Sequence, residues 1–268
     1  MRLCFVLLPD AKPLATGPFE KALKEFPDLG ALRWSSSTRK GTRAFSVGKL
    51  KVLASLMPVA VPEGEAERAT DHSLSGLDGS WTLPEHRAHL LVAQQGATGT
   101  EVEELVTFTR VVAAIVRATN AVGVYWGEGG ATHHPEFVVN IAHSELPLPI
   151  WVGVSVAKSA SGPELLSIGM KQLGLPELLL TTPGLDGTVF ELFYDLLAYV
   201  TRRGKKLPEG DSVGRTPKEK LKVRYVASPI HPGEQVWNVV LPAPKKKKKG
   251  AAAKKKAPVK AAKKKKKK

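Results

Sequence analysis

The chain of 268 residues carries 40 basic and 25 acidic side chains, a formal net charge of +15. Residues 245–268 hold 15 of the basic side chains and no acidic one, so residues 1–244 carry 25 side chains of each sign. A hydrophobic content of 43% over this body is enough for a sizeable core, as one large domain or two small ones. The single cysteine, Cys4, excludes an intramolecular disulfide and a cysteine-based zinc finger, and favours a reducing compartment.

The apolar run at residues 3–8 is the first predicted strand. It ends at Pro9 and Asp10, which makes it shorter than the hydrophobic region of a secretory signal peptide. No apolar stretch approaches the roughly 18–20 residues of a membrane-spanning helix, so no transmembrane segment is expected. These features predict a cytoplasmic protein.

The N-terminal half alternates helix and strand patterns. Gly17 and Pro18 suit a helix start, and apolar residues follow at helical spacing up to Phe26. The run 43–57 is long enough for two strands or for one strand bent at Gly48. The predicted elements of this half are a helix over 17–26, strands at 32–35 and 43–57, a helix at 63–69 and a strand at 87–94.

The clearest predicted helix covers residues 101–119. Thr100 and Glu103 have the capping-box spacing, in which the hydroxyl and the carboxylate each accept a backbone N–H of the helix start. A wide apolar stripe along this segment predicts a largely buried helix packed on a sheet, followed directly by a strand at 121–126.

The second half also contains one strong capped helix among predicted strands. Residues 149–156 form a continuous apolar run that predicts a central strand, and residues 164–174 fit either a short helix or a strand followed by a turn. Thr188 and Glu191 repeat the capping-box spacing ahead of a second strong helix at 189–203. Further strands are predicted at 177–181, 222–227 and 235–241.

Together these elements predict an α+β fold of ferredoxin-like character, with mostly antiparallel sheets covered by the helices at 101–119 and 189–203. The globular body is expected to span residues 1–242, followed by a disordered lysine-rich tail at 243–268. A boundary near 143–149 would divide the body into two halves, and one continuous domain is an equal alternative.

Four segments in this order resemble a known family. Residues 88–92 (AHLLV) precede the long helix, residues 123–127 (GVYWG) follow it, and residues 148–152 (LPIWV) and 169–178 (GMKQLGLPEL) come later. Together they resemble the bacterial domain of unknown function 4261 family, over about residues 1–242. The resemblance implies a bacterial origin and a common fold, and it implies no activity.

The glycine-rich turn after the strand at 121–126 gathers side chains that can bind ligands. Strand ends that lead into such loops are common ligand sites, and imidazole and carboxylate groups lie within a short span here. The alternative is a surface loop in which Trp126 covers the core. The residues of the predicted pocket are Tyr125, Trp126, Glu128, His133, His134 and Glu136.

Other patterns argue against cofactor and metal chemistry. The turn at 127–130 leads neither into the Gly-Lys-Ser/Thr of a phosphate-binding loop nor into the helix of a dinucleotide site. His86 and His89 would point to opposite faces of a strand, which prevents joint chelation. Glu177, at a strand start, is expected to be an exposed or capping acid. We therefore expect no cofactor and no metal, and favour a non-enzymatic protein over an enzyme.

The lysine-rich tail indicates a class of partner. Its charges repel one another and its composition offers little apolar surface to bury, which predicts disorder in isolation. Its Lys-Ala-Pro composition resembles the tails of linker histones and bacterial histone-like proteins, and predicts sequence-independent binding to the phosphate backbone of DNA or RNA. The tail lysines are Lys245, Lys246, Lys247, Lys248, Lys249, Lys254, Lys255, Lys256, Lys260, Lys263, Lys264, Lys265, Lys266, Lys267 and Lys268.

Three functional hypotheses combine body and tail. The leading one is a non-enzymatic cytoplasmic interaction module whose tail binds DNA or RNA, which would place it at the nucleoid, while its body binds an unknown protein or ligand. The second is a small-molecule-binding protein or enzyme with its pocket at 125–136, and the third is an antidote-like protein that neutralises a partner. For the tail, an anionic membrane is the second choice of partner, and a merely solubilising tail is the remaining alternative.

Overall fold

The computed structural model describes residues 2–36, 39–77, 79–96, 99–216 and 219–243. In this part of the chain thirteen strands form two sheets, and six α-helices with short 3₁₀ turns connect and cover them. The predicted α+β class with mostly antiparallel sheets is confirmed. The fifteen tail lysines lie outside the described residues.

The first sheet is built from the N-terminal half of the chain. Its strands are β1 (Leu3–Leu8), β2 (Leu32–Trp34), β3 (Thr42–Val47), β4 (Leu50–Met57), β5 (Ala88–Gln95), β6 (Gly123–Trp126) and β7 (Ala131–His133). They are antiparallel and lie in the order β2-β3-β4-β5-β1-β6-β7. Cys4 of β1 lies opposite Val92 of β5 and Trp126 of β6. Apolar residues cover both faces of β1, which explains its unbroken apolar sequence.

The second sheet is built from the C-terminal half. Its strands are β8 (Gly153–Ser159), β9 (Gly162–Ile168), β10 (Leu178–Thr181), β11 (Ser212–Val213), β12 (Leu221–Ala227) and β13 (Gln235–Val240). Their order is β11-β12-β13-β10-β9-β8. β10 and β13 are parallel, and the other neighbours are antiparallel.

The helices pack against the two sheets, and residues of both contribute to one large apolar cluster. They are α1 (Thr16–Leu23), α2 (Glu65–Arg68), α3 (Glu101–Arg117), α4 (Pro135–Ile141), α5 (Leu148–Trp151) and α6 (Gly187–Arg203). The predicted capping box of α3 is confirmed, because Glu103 N donates to Thr100 Oγ1 at 3.3 Å and Thr100 N donates to Glu103 Oε2 at 3.1 Å. Trp151 of α5 donates its indole N–H to Thr109 Oγ1 of α3 at 2.7 Å, which ties the two halves together.

The predicted central strand at 149–156 is wrong. Its first half is the helical turn α5, and its second half belongs to β8, which is an edge strand of the second sheet. Ile150 and Trp151 are fully buried in the large apolar cluster. This burial explains the apolar run, although the segment does not lie between two neighbouring strands. A short apolar run indicates that a segment is buried. It is too short to show the periodicity that distinguishes a helix from a strand.

The predicted cap of the second strong helix is also wrong. α6 begins after Asp186, whose Oδ1 accepts Val189 N at 3.1 Å. The hydroxyl of Thr188 donates to the same oxygen at 2.6 Å instead of capping the helix with Glu191. Aspartate is as good a cap as threonine, so the helix starts two residues earlier than predicted.

Other predicted elements differ in extent. The run 43–57 forms two strands joined at Gly48, and the stretch 164–174 contains the end of β9 and the 3₁₀ turn Met170–Leu173. The expected helix at 63–69 is reduced to α2 between 3₁₀ turns, and α4, β7 and β11 are not indicated by the sequence pattern. The first sheet ends at His133 and the second begins at Gly153. A domain boundary near 143–149 stays a prediction.

Candidate functional site

Strand β6 separates the two aromatic residues that were predicted to share a pocket. Tyr125 and Trp126 are neighbours in an extended strand, so their side chains point to opposite faces of the sheet. Tyr125 stacks on Phe5 with the ring centroids 5.5 Å apart and donates its hydroxyl to Glu65. Burial, and then the contact with Glu65, raise the pKa of Tyr125. Trp126 lies in the core, 5.5 Å from the ring of Phe108, so the structure does not bring the two rings together.

His133 is a buried structural residue in β7. Its Nε2 donates to the carbonyl oxygen of Ile150 at 3.0 Å, and its Nδ1 accepts from the hydroxyl of Ser73 at 2.6 Å. The carbonyl can only accept, which assigns the proton to Nε2 of a neutral ring. Burial lowers the pKa of His133 to about 4. Both ring nitrogens are engaged, so His133 offers no free ligand atom to a metal.

His134 and Glu136 serve the start of α4. Glu136 N donates to His134 Nδ1 at 3.1 Å, so His134 caps the helix. The carboxylate of Glu136 accepts from Arg117 Nη1 of α3 at 3.3 Å. Of the six residues of the predicted pocket, Glu128 lines the large groove described next.

A polar groove of about 880 Å³ opens where the start of β1, the end of β5, the first turn of α3 and the 3₁₀ turn Met170–Leu173 meet. Of the residues that line this groove, only Glu128 belonged to the pocket predicted from the sequence, because the other walls come from segments far apart in the chain. Among the residues that line it are Arg2, Gln94, Glu101, Glu128, Lys171 and Gln172. We call this site the polar groove.

The floor of the polar groove is held by Glu104 in the first turn of α3. Its side chain is 5% exposed, and its Oε2 accepts from Arg2 Nη1 at 2.6 Å and from Gln94 Nε2 at 2.9 Å. Its Oε1 accepts from the backbone N–H of Gly99 at 3.0 Å. This carboxylate therefore links β1, β5 and the loop that leads into α3.

Glu177 holds the opposite wall of the polar groove, the 3₁₀ turn Met170–Leu173, in position. This residue is buried, and its carboxylate accepts from Gly169 N at 2.9 Å and from the hydroxyl of Ser167. Burial raises the pKa of Glu177, and the bonds from Ser167 and from the backbone amides of residues 169–171 lower it. Of the two expectations for Glu177, exposure is wrong, whereas the carboxylate does cap backbone amides, those at the start of the turn Met170–Leu173, whose position only the fold decides.

Gln172 connects this turn to the core. Its Nε2 donates to the carbonyl oxygen of Trp151 at 2.8 Å, and its Oε1 accepts from Trp126 Nε1 at 3.2 Å. Gly169 has a φ of 121°, and a Cβ there would lie 2.5 Å from the same Trp151 oxygen, so the turn requires glycine. Trp126 thus contacts the groove wall indirectly, through Gln172.

The unpaired charges of the polar groove are negative. Arg2 is paired with Glu104, and Lys171 Nζ lies 2.6 Å from Glu234 Oε1. The carboxylates of Glu101 and Glu128 are exposed, and within the described residues neither forms a hydrogen bond or an ion pair. The groove therefore favours a ligand that brings a positive charge or hydrogen-bond donors.

Comparison with known proteins yields one match. The family model described as domain of unknown function (DUF4261) matches residues 166–240. The matched segment contains Lys171, Gln172 and Glu177, so it supplies one wall of the polar groove. It supports the resemblance to this family over that segment and carries no activity. No curated protein and no solved structure matches the chain.

The matched segment also contains the pattern Gly-x-Ser-x-Gly at residues 210–214. In serine hydrolases this pattern turns a strand into a helix and exposes the serine at the turn. Here Ser212 lies in the two-residue strand β11, opposite Lys222, and the next element is the strand β12. The pattern lacks the strand–turn–helix context that would make the serine a nucleophile.

The histidines at 86 and 89 contact the backbone separately. Val61 N donates to His86 Nε2 at 3.1 Å, and His89 Nδ1 lies 3.0 Å from the carbonyl oxygen of Val59. In the described ranges no group of three or more His, Cys, Asp and Glu residues could hold a metal ion. No helix in the same ranges is long and apolar enough to cross a membrane.

Proposed function

We propose that this protein is a nucleoid-associated interaction module whose lysine-rich tail binds the phosphate backbone of nucleic acid. The observation that carries the proposal is the separation of charge along the chain, with 15 lysines in residues 245–268 and equal numbers of acidic and basic side chains before them. A lysine that neutralises a phosphate releases condensed counterions, so such a tail binds strongly and without sequence preference. DNA and RNA both present this backbone.

Removal of residues 245–268 is expected to eliminate most of the affinity for a mixed-sequence DNA duplex. Both sheets and the large apolar cluster lie before residue 244, so the shortened chain keeps its folded body. Six or more phosphate contacts would make the affinity of the full chain fall about 10³-fold or more between about 50 and 200 mM salt. Fluorescence anisotropy with a labelled duplex measures both effects. Equal affinity of the two proteins at every salt concentration would contradict the proposal.

A second candidate function is the binding of a small polar molecule in the polar groove. The observation that favours it is the pair of unpartnered carboxylates, Glu101 and Glu128, beside the amide side chains of Gln94 and Gln172. Among the described residues, those that line the groove include no serine, threonine, cysteine or histidine, and so they supply no nucleophile or imidazole base. The groove is therefore suited to binding a cationic molecule, for which carboxylates and amide oxygens are acceptors.

The variant Glu128→Gln is expected to weaken binding of spermidine, used as a cationic probe, by roughly tenfold, since one charge-assisted hydrogen bond is lost. Glu191→Gln is the matched control, because Glu191 is exposed on α6 and does not line the polar groove. Isothermal titration calorimetry measures the three affinities. Equal binding by both variants and the unchanged protein would exclude Glu128 as a contact.

The antidote-like hypothesis requires a large exposed apolar surface. The exposed large apolar side chains of the described ranges lie on several elements and loops, and they are Met57, Val59, Val156, Leu185, Tyr199, Ile230 and Val240. The hypothesis stays open, as does an unknown protein partner of the body, and no specific contact favours either over the two functions above.

A further inference from the structure

The net charge of zero over residues 1–244 conceals an uneven distribution. Residues 202–224 contain nine basic and three acidic side chains. Because the body has no net charge, its remaining residues must contain more acidic than basic side chains, with an excess equal to the basic excess of this stretch. This basic stretch begins at the end of α6 and ends within β12. Overall neutrality therefore does not exclude a local polycationic surface.

Strand β12 and the residue directly before it carry three exposed cations at alternate positions. Lys220, Lys222 and Arg224 are exposed and alternate with the buried Leu221 and Val223. Alternate residues of a strand share a face and lie about 6.6–6.8 Å apart. Lys222 and Arg224 therefore share a face of β12, and together with Lys220 just before the strand they form what we call the cation row.

The acidic residues of the same stretch are engaged with other groups. Asp211 Oδ2 lies 3.9 Å from Arg203 Nη1, and Glu219 Oε1 lies 3.3 Å from Arg215 Nη2. Glu209 Oε2 accepts the backbone N–H of Tyr225 at 2.6 Å. Among the residues that the structure describes, the cation row therefore has no carboxylate partner.

The cations of the row are available to a ligand. Lys220 and Arg224 form no hydrogen bond or ion pair within the described part of the chain, and Lys222 Nζ donates to the carbonyl oxygen of Gly210 at 3.2 Å. Lys205 and Lys206, also exposed and without such a partner there, precede the loop that runs beside β12. Tyr225, which donates its hydroxyl to the carbonyl oxygen of Leu207, alternates with Arg224 along β12, so these two lysines are not counted in the row.

The last strand of the body ends beside the cation row. β13 is antiparallel to β12, with Val239 opposite Val223, so the C-terminal end of β13 lies next to Lys222. Val240 is 55% exposed, and Leu241 N still donates to the carbonyl oxygen of Thr181 at 2.8 Å. The described chain therefore leaves the second sheet within a few residues of the row, and residue 245, the first tail lysine, follows Leu241 by four positions in the sequence.

We propose that the cation row is the surface on which the body docks against a DNA duplex held by the tail. This inference rests on the proposed function of the tail. The duplex is the partner that fits, because it presents about one negative charge per 1.7 Å of its axis, and lysine and arginine contact phosphates without reading bases. The row contains no aromatic side chain on which an unpaired base would stack.

The triple variant Lys220→Ala/Lys222→Ala/Arg224→Ala in the full chain tests the inference. Loss of three phosphate contacts is expected to make the slope of log affinity against log salt shallower by about 2.7. Between about 50 and 200 mM salt, the decrease in affinity then becomes roughly 40-fold smaller. Anisotropy with the same duplex measures the slope, and circular dichroism checks that the variant is folded.

The control is Arg33→Ala/Lys49→Ala/Lys51→Ala, which removes the same charge from exposed positions around β2 and β4 of the other sheet. Its slope should equal that of the unchanged protein. If the two triple variants behave alike while removal of the tail abolishes binding, the cation row is overturned and the tail proposal stands. If the first variant loses affinity for anionic phosphatidylglycerol vesicles and keeps its affinity for DNA, the surface is a membrane surface and the inference is wrong.

Discussion

Replacing Glu104 with alanine is expected to lower the free energy of unfolding by about 3–5 kcal/mol. The change would leave the Arg2 guanidinium, whose side chain is 14% exposed, without its carboxylate at 2.6 Å. It would also remove the acceptor of the Gly99 backbone N–H and the closer of the two acceptors of the Gln94 amide, which keeps its 3.3 Å bond to the carbonyl oxygen of Gly96. A buried charge and buried donors without partners are costly, because water does not replace the lost acceptor.

Urea denaturation measures this loss, with Glu101→Ala as the matched control. Glu101 lies in the same turn of α3 but is exposed, and its carboxylate has no partner among the described residues. The control should lose at most about 1 kcal/mol, from its interaction with the helix dipole. Equal losses in the two variants would show that Glu104 does not anchor the floor of the polar groove.

Acidification from about pH 7 to about pH 4 is expected to remove about 3 kcal/mol of stability through His133. The folded-state pKa of about 4 lies below the ordinary value of 6.5, because burial disfavours the charged ring. Protons therefore bind the unfolded chain more readily than the folded one. The contribution is complete above the ordinary pKa and is lost progressively as the pH falls from there toward about 4. Burial lowers the pKa of His89 as well, so its effect has the same sign.

The variant His133→Gln isolates this effect, since glutamine cannot titrate. Its free energy of unfolding, measured in urea at several pH values, should decrease by about 3 kcal/mol less than that of the unchanged protein. Glu177, whose pKa burial raises, acts in the opposite direction and is present in both proteins, so the comparison cancels it. His231→Gln, in the loop before β13, serves as the control. A pH profile of His133→Gln that matches the unchanged protein would refute the assignment.

Features that depend on residues within a few positions of each other were predictable. The capping box of Thr100 and Glu103 is confirmed because both bonds lie inside one helical turn. The strand at 3–8 is confirmed, and its end was predictable because Pro9 and Asp10 follow it directly in the sequence. The cap at Asp186 was missed because Asp186 and Thr188 are both good capping residues, and their spacing alone does not rank them.

The candidate site shows what a single sequence leaves undecided. The polar groove brings Arg2 together with Glu104 and both near Lys171, although these residues are separated by long stretches of chain. Only the pairing of β1 with β5 and the packing of α3 against them create that proximity. Glu128 alone was found from the sequence, since it follows a strand directly.

The sequence by itself determined the separation of charge between tail and body, because charges can be counted without knowing where they lie. It also determined the α+β class, through periodicity and helix starts that are local properties. The tertiary structure decided which face of β12 carries the cation row, that β13 ends beside Lys222, and that His133 is buried. These facts follow from strand pairing and burial, which depend on contacts between residues far apart in the chain.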